Sequence, residues 1–77
     1  MIKLKDILIE KSVNYKEKDC KKYNSMVKRN KLVAFQTSYG RQFTWSDDTD
    51  NEVVIGIDQD GGDHEFNHDE VDTILIF

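Results

Sequence analysis

The stretch LVAFQTSYGRQFTW, residues 32–45, sets the class of fold that this sequence predicts. Residues 32–35 are apolar, and polar and aromatic residues alternate in QFTW, residues 42–45. A period of two is typical of half-buried strands. Between the two runs, Ser38-Tyr39-Gly40 has the composition of a tight turn, so the stretch predicts two strands joined by a turn.

Downstream of residue 45 the chain predicts three more strands. They are residues 53–58, 64–66 and 72–77, separated by an acidic loop (46–51), a glycine turn (60–63) and one helical turn (68–71). Within the first of them we expect Gly56 to mark a bulge or a close approach. The final strand is apolar on both faces and needs cover on both. We expect its second face or its open edge to meet a neighbouring subunit, with strand-edge pairing as the mode of assembly.

Upstream of residue 32 the pattern is mainly helical. In residues 2–10 the apolar spacing suits a short amphipathic helix that continues to Lys11, although the alternation in residues 2–4 leaves a strand open. A second helix is predicted to begin near Asn14, because Glu17 three residues later completes a capping-box pattern. We expect it to end at Lys28 and Arg29 and to bury one apolar face, formed by Cys20, Tyr23 and Val27 with Met26 beside them.

Seventy-seven residues predict one domain, spanning 1–77. A chain of this size buries only about 60–65% of its unfolded surface, so its core needs a supplement. Disulfides are excluded because Cys20 is the single cysteine, and we expect it to be a small buried residue. Oligomerisation remains as the supplement, so we expect a homo-oligomer.

No apolar run has the length of a signal peptide or membrane span, so we expect a protein of the cytoplasm of a bacterial or phage-infected cell.

Charge is distributed unevenly along the chain. Residues 1–31 hold ten Lys/Arg and four acids, a net of +6, whereas residues 32–77 hold Arg41 against eleven acids, a net of −10, which together give −4. Three interpretations stay open: two solvated faces of different sign, a basic face that meets phosphates, or head-to-tail contact between basic and acidic parts of neighbouring copies.

A helical segment followed by five short strands resembles the Sm-like (LSm) proteins, and a single helical turn before the last strand is common in SH3-like barrels. Asp50-Asn51 lies near the place of that family's Asp and Asn pair, but Gly40-Arg41 reverses its Arg-Gly pair, so its RNA-contacting residues are not transferred. The opening MIKLKDIL is similar to openings of marine cyanophage proteins. The resemblance implies an α+β, mostly β fold, with an N-terminal helix before a five-stranded small barrel, ring assembly, and RNA or DNA binding.

Catalytic and metal chemistry find little support in the sequence. The acidic run DQDGGDHE, residues 58–65, lacks the fifth, sixth and twelfth positions of a calcium-binding EF-hand loop. His64 and His68 are separated by a predicted bend, and no nucleophile elbow, phosphate loop or CxxC pair is present. We therefore expect neither an enzyme nor a cofactor or metal.

Two groups of residues are candidates for single-stranded RNA or DNA binding. Tyr39 beside Arg41 is a base-stacking combination if the tyrosine is exposed rather than packed, and Trp45 is expected to be half exposed. The phosphate-binding candidates, unless they are only a solvated helix face, are Lys21, Lys22, Lys28, Arg29 and Lys31. The alternatives are a phage-encoded protein-interaction factor that uses the acidic half and a structural ring without a nucleic-acid ligand.

Overall fold

The computed structural model describes residues 11–77, which form one antiparallel sheet of six strands and one short helix. In chain order the elements are β1 (Lys11–Asn14), a 3₁₀ turn (Glu17–Asp19), α1 (Cys20–Lys28), β2 (Val33–Thr37), β3 (Gln42–Trp45), β4 (Val54–Ile57), β5 (Asp63–Phe66), a second 3₁₀ turn (His68–Glu70) and β6 (Val71–Ile76). The strands lie in the order β1-β6-β2-β3-β4-β5. No helix within residues 11–77 is long and apolar enough to cross a membrane.

The predicted mostly-β class is confirmed, but the predicted architecture is wrong. The sheet has six strands, and α1 follows the first of them, so this is not a five-stranded barrel behind an N-terminal helix. All five predicted strands are present as β2 to β6 with bounds shifted by one residue at most, and α1 ends at Lys28 as expected. The helix predicted for residues 2–10 lies outside the described residues.

Strand β1 accounts for the difference. Asn14, expected to cap a helix, is the last residue of β1 and pairs with Thr73, and the helix begins only at Cys20. The capping-box pattern is a local signal. Backbone pairing with β6 overrides it, because tertiary hydrogen bonds decide between weak local preferences.

Strand β6 is enclosed on both edges, which contradicts the open edge predicted for it. It pairs with β1 from Lys11↔Ile76 to Asn14↔Thr73, and on its other side with β2. Its apolar C-terminal half, Ile74-Leu75-Ile76, is buried. The chain itself therefore supplies the strand that we expected from a neighbouring subunit.

The sheet is strongly curved, and Gly56 permits the curvature. Strands β2 and β5 are three positions apart in the sheet, yet the rings of Phe35 and Phe66 are 5.5 Å apart. A Cβ at Gly56 on β4 would lie 2.7 Å from Phe35 Cζ and 2.8 Å from Phe43 Cβ. The expected close approach at Gly56 is thus confirmed.

The core fills the space between the curved sheet and α1. Trp45 is 1% exposed, so the expectation that it is half exposed is wrong. Its ring contacts Tyr23 of α1 at 5.5 Å and Phe35 of β2 at 5.8 Å between centroids. Cys20 is buried against the same cluster, as predicted.

We predict that Gly56→Ala destabilises the protein by about 1–3 kcal/mol, because the new methyl group overpacks the Phe35 and Phe43 side chains. Urea denaturation followed by Trp45 fluorescence measures the change. The double variant Gly56→Ala/Phe35→Leu is the control, since it removes the clashing ring end, and it should be less destabilised than the sum of the two single changes. Additive losses would contradict this explanation.

Candidate nucleic-acid interface

The uneven charge of the sequence becomes a separation in space. Residues 11–31, which form β1, the first 3₁₀ turn and α1, carry eight Lys/Arg and two acids. Strand β5 and the turn before it carry Asp60, Asp63 and Glu65 and lie at the opposite end of the strand order. The basic residues 11–31 and this acidic hairpin therefore lie at opposite ends of the strand order, while Asp72 of β6 lies beside β1, where its carbonyl oxygen accepts a hydrogen bond from the Tyr15 amide.

A basic groove lies between β1 and α1. Its volume is about 500 Å³. Three lysines, Lys16, Lys18 and Lys22, are exposed along it, and Lys22 Nζ lies 6.0 Å from the centre of the Tyr23 ring. The full lining is Val13, Asn14, Lys16, Lys18, Asp19, Lys22 and Tyr23. One carboxylate among three ammonium groups leaves the groove with net positive charge.

The predicted phosphate-binding residues divide between the two ends of α1. Lys21 and Lys22 lie in its first turns beside the groove. Lys28, Arg29 and Lys31 lie at its other end, about 10 Å along the helix axis from the first two. There Arg29 Nε donates a hydrogen bond to the Ser25 carbonyl oxygen, which satisfies part of the helix C-terminus.

The β2–β3 turn lies at the groove end of the sheet. The strand registers align Asn14, Thr73, Gln36 and Gln42 in one row across β1, β6, β2 and β3. Three strand spacings of about 4.8 Å put Gln42 about 14 Å from Asn14 along the sheet. The structure thus brings the predicted pair Tyr39 and Arg41 to the end where the groove lies.

Tyr39 and Arg41 are presented differently by that turn. Tyr39 is 83% exposed at its tip, next to Gly40, whose φ of 82° provides the left-handed backbone that the turn requires. Arg41 lies over the Phe43 ring, with its Cζ 5.1 Å from the ring centre. A guanidinium held against a ring in this way is a cation–π contact.

Tyr15 anchors the segment that carries Lys16 and Lys18. Its hydroxyl lies 2.7 Å from Nδ1 of the buried His68, and His68 Nε2 lies 2.9 Å from the Asp50 carbonyl oxygen. The carbonyl accepts only, so Nε2 donates to it, and in the neutral ring Nδ1 accepts from Tyr15. Burial raises the pKa of the Tyr15 hydroxyl far above its usual value, which keeps this donor protonated.

Asp58 organises the acidic β4–β5 hairpin. His64 Nε2 lies 2.7 Å from Asp58 Oδ2, while Asp58 Oδ1 accepts hydrogen bonds from the amides of Asp60 and Gly62. The His64 hydrogen bond, followed by the Gly62 amide, lowers the pKa of the Asp58 carboxyl. Gly61, at φ 87°, completes the predicted glycine turn.

Sequence reasoning missed several residues of these two surfaces. Lys16 and Lys18 are absent from the predicted site because strand β1, which forms one side of their groove, has no local signal in the sequence. Phe43 and His64 were also missed, since their contact, at 5.2 Å between ring centres, joins β3 to β5. The charge count of the first 31 residues was the one sequence signal that included Lys16 and Lys18.

Comparison of the chain with protein-family models, with curated proteins and with solved structures found no match. Within residues 11–77, no group of three or more His, Cys, Asp or Glu side chains is placed to hold a metal ion.

We predict that Tyr15→Phe destabilises the protein by about 1–3 kcal/mol, because the buried His68 Nδ1 loses its hydrogen-bond partner. Urea denaturation measures this loss. Tyr39→Phe removes a hydroxyl from an exposed tyrosine and is the matched control, with an expected change within about 0.5 kcal/mol. Equal stabilities of the two variants would show that the Tyr15 hydroxyl does not anchor the segment.

We also predict that His64→Ala raises the pKa of Asp58 toward the usual value of about 3.9, because the carboxylate loses its strongest donor. A pH titration followed by NMR of the Asp58 carboxyl carbon measures the shift. A lowered folded-state pKa means that ionised Asp58 stabilises the fold above its unfolded pKa. That contribution is lost as the pH falls through the folded pKa, so wild type and variant should converge in acid.

Asp50 provides an internal control in the same spectra. Its pKa is lowered by hydrogen bonds from the amides of Val53 and Glu52, which do not involve His64. The Asp50 titration should therefore be the same in wild type and variant. A parallel shift of both residues would indicate a general rearrangement rather than loss of the His64 hydrogen bond.

Proposed function

We propose that the protein is a non-enzymatic module that binds single-stranded RNA or DNA, with the phosphates along the basic groove between β1 and α1. The observation that carries the proposal is the set of three exposed lysines on that groove, at the sheet edge opposite the acidic hairpin. Lysines act on phosphates as point charges, and release of counterions from the strand drives such binding.

The arrangement of the turns supports a single strand as ligand. Tyr39 is exposed in the turn between Gln36 and Gln42, and Gln42 lies about 14 Å from Asn14 of the groove along the sheet. A base-stacking aromatic near a line of cations is the combination used for single strands, whose bases are free to stack. In a duplex the bases are already stacked on one another.

The acidic residues limit the strength and direction of binding. Eleven carboxylates of residues 32–77 repel phosphates, so the strand must follow the basic edge. We therefore expect modest affinity with a strong dependence on salt.

Ring assembly, which the Sm-like resemblance implies, stays a prediction. The strand expected to join neighbouring copies, β6, is already paired with β1 and β2. Any assembly by strand pairing must use another edge, such as that of β5, which pairs with β4 on its inner side.

We predict that Lys16→Gln/Lys18→Gln weakens binding of a labelled single strand and reduces the salt slope by about 1.4, the value expected when two phosphates of a single strand are no longer neutralised. Fluorescence anisotropy at several salt concentrations measures both quantities. Lys11→Gln/Lys28→Gln is the control of equal charge: neither residue lines the groove, and Lys28, although a candidate from the sequence, lies at the far end of α1. We expect that control to leave the slope closer to wild type.

Two results would contradict the proposal. Equal decreases in affinity in both double variants would mean that overall charge, and not the groove, determines binding. Absence of binding at low salt, where attraction between lysines and phosphates is strongest, would exclude the nucleic-acid function. The protein-interaction alternative, with the acidic half facing a basic partner, would then be the hypothesis to test.

A further inference from the structure

A second groove, distinct from the lysine groove, lies between the start of β3 and the β4–β5 turn. Its volume is about 430 Å³. Its lining residues are Arg41, Gln42, Phe43, Asp58, Gln59 and Asp60. Arg41 is the single Lys or Arg of residues 32–77, so this groove holds the one positive side chain of the acidic half.

One wall of this second groove is a guanidinium supported by a fixed ring. Arg41 Cζ lies 5.1 Å from the centre of the Phe43 ring. Phe43 is 2% exposed and is packed between Phe66, at 4.8 Å, and His64, at 5.2 Å between ring centres. The buried ring gives the exposed Arg41 side chain a fixed surface, and the cation–π contact favours the position in which the guanidinium lies over that ring. When a flat group stacks on the guanidinium, the arginine side chain therefore loses less conformational entropy than a free arginine side chain would lose.

The other wall is an ordered turn that carries carboxylates. The Asp58 carboxylate accepts hydrogen bonds from His64 Nε2 and from the amides of Asp60 and Gly62, and these bonds fix the turn. Asp58 already accepts three hydrogen bonds within the turn, so the exposed Asp60 carboxylate is the more accessible acceptor that the groove offers to a ligand. Asp60 is exposed and lines the groove together with the amide side chain of Gln59.

These two walls select the chemistry of a ligand. The guanidinium favours a planar π system, as nucleobases are. The carboxylate wall repels phosphate and attracts N–H donors. An exocyclic amino group therefore suits it better than thymine or uracil, whose one N–H donor on the pairing edge, at N3, is flanked by the O2 and O4 acceptors. A free anion is disfavoured because two carboxylates line the same groove as Arg41.

We propose that this second groove accepts one amino-bearing nucleobase, which stacks on the Arg41 guanidinium and donates its amino group to Asp60. This inference rests on the proposed binding of a single strand, and it adds selection of a base to phosphate contacts that are independent of sequence. The phosphates stay on the lysine groove at the same end of the sheet, and only the neutral base approaches the acidic turn.

The test compares three short labelled DNA strands of equal length. One strand is abasic throughout, the second carries a pair of central adenines, and the third carries a pair of central thymines. We expect the adenine strand to bind about fivefold or more tighter than the abasic strand, with the thymine strand between them. The salt slopes should be the same for all three, because the strands carry the same phosphates.

Two variants assign the effect to this groove. Arg41→Lys keeps the charge but removes the planar group, so the adenine strand should lose most of its advantage while the abasic strand binds as before. Asp60→Asn should reduce the ratio of adenine to thymine affinity. That ratio is taken within one variant, so a change in net charge cancels.

The outcomes separate this inference from the proposed function. If the adenine strand binds no tighter than the abasic or thymine strand, or if Arg41→Lys keeps the adenine preference, the base site is wrong while the phosphate groove stands. If none of the strands binds at low salt, the proposed function fails and the base site fails with it. An adenine preference that disappears in Arg41→Lys supports the inference.

Discussion

The burial of Trp45 joins the separate parts of this small fold. Its ring, at the end of β3, contacts Tyr23 of α1, Tyr15, which follows β1 in the chain, and Phe35 of β2. Its Nε1 donates to Asn24 Oδ1, and Asn24 Nδ2 donates to the Thr49 carbonyl oxygen of the β3–β4 loop, each at 2.8 Å. A buried indole N–H needs such a partner. One side chain therefore fixes the positions of the helix, the loop and the edge strand relative to the sheet.

The pairing of β1 with β6 covers a sheet edge that so short a chain would otherwise leave exposed. So short a chain has little surface to bury, and an apolar final strand would leave an edge open. Here four residue pairs with β1 close that edge, and Tyr15, just beyond β1, continues the contact through its amide to the Asp72 carbonyl oxygen at 3.0 Å. The same strand then leads into Lys16 and Lys18. Closing the sheet edge and positioning two groove lysines are thus achieved by one short segment.

The sequence predicts those elements whose signals are local and fails where distant contacts decide. The hairpin of β2 and β3 and the glycine turn at 60–63 are visible in alternation and turn composition, and both are present. Strand β1 has no such signal, because KSVN gains its strand identity only from β6, about sixty residues away. For the same reason the position of Trp45 at the end of its strand predicts half exposure, since its cover comes from Tyr15 and Tyr23, which the local sequence does not show. Of the candidate site, the sequence identified Arg41 and Lys22. It did not identify the Phe43 ring beneath Arg41, nor the two grooves that Lys22 and Arg41 line.

The two grooves acquire their different chemistry from the order of the strands. The chain is basic first and acidic later, and the sheet places its first strand at one edge and the acidic β5 at the other. The groove lysines are thereby kept apart from the carboxylates of the β4–β5 hairpin. Arg41 is the exception, because the β2–β3 turn inserts it between Phe43 and the acidic turn. An isolated cation there, supported by a ring and faced by carboxylates, is poorly suited to phosphate but well suited to a flat neutral group. A strand bound along the basic edge would meet charge attraction first and shape selection second, in the order in which backbone and bases of a nucleic acid present themselves.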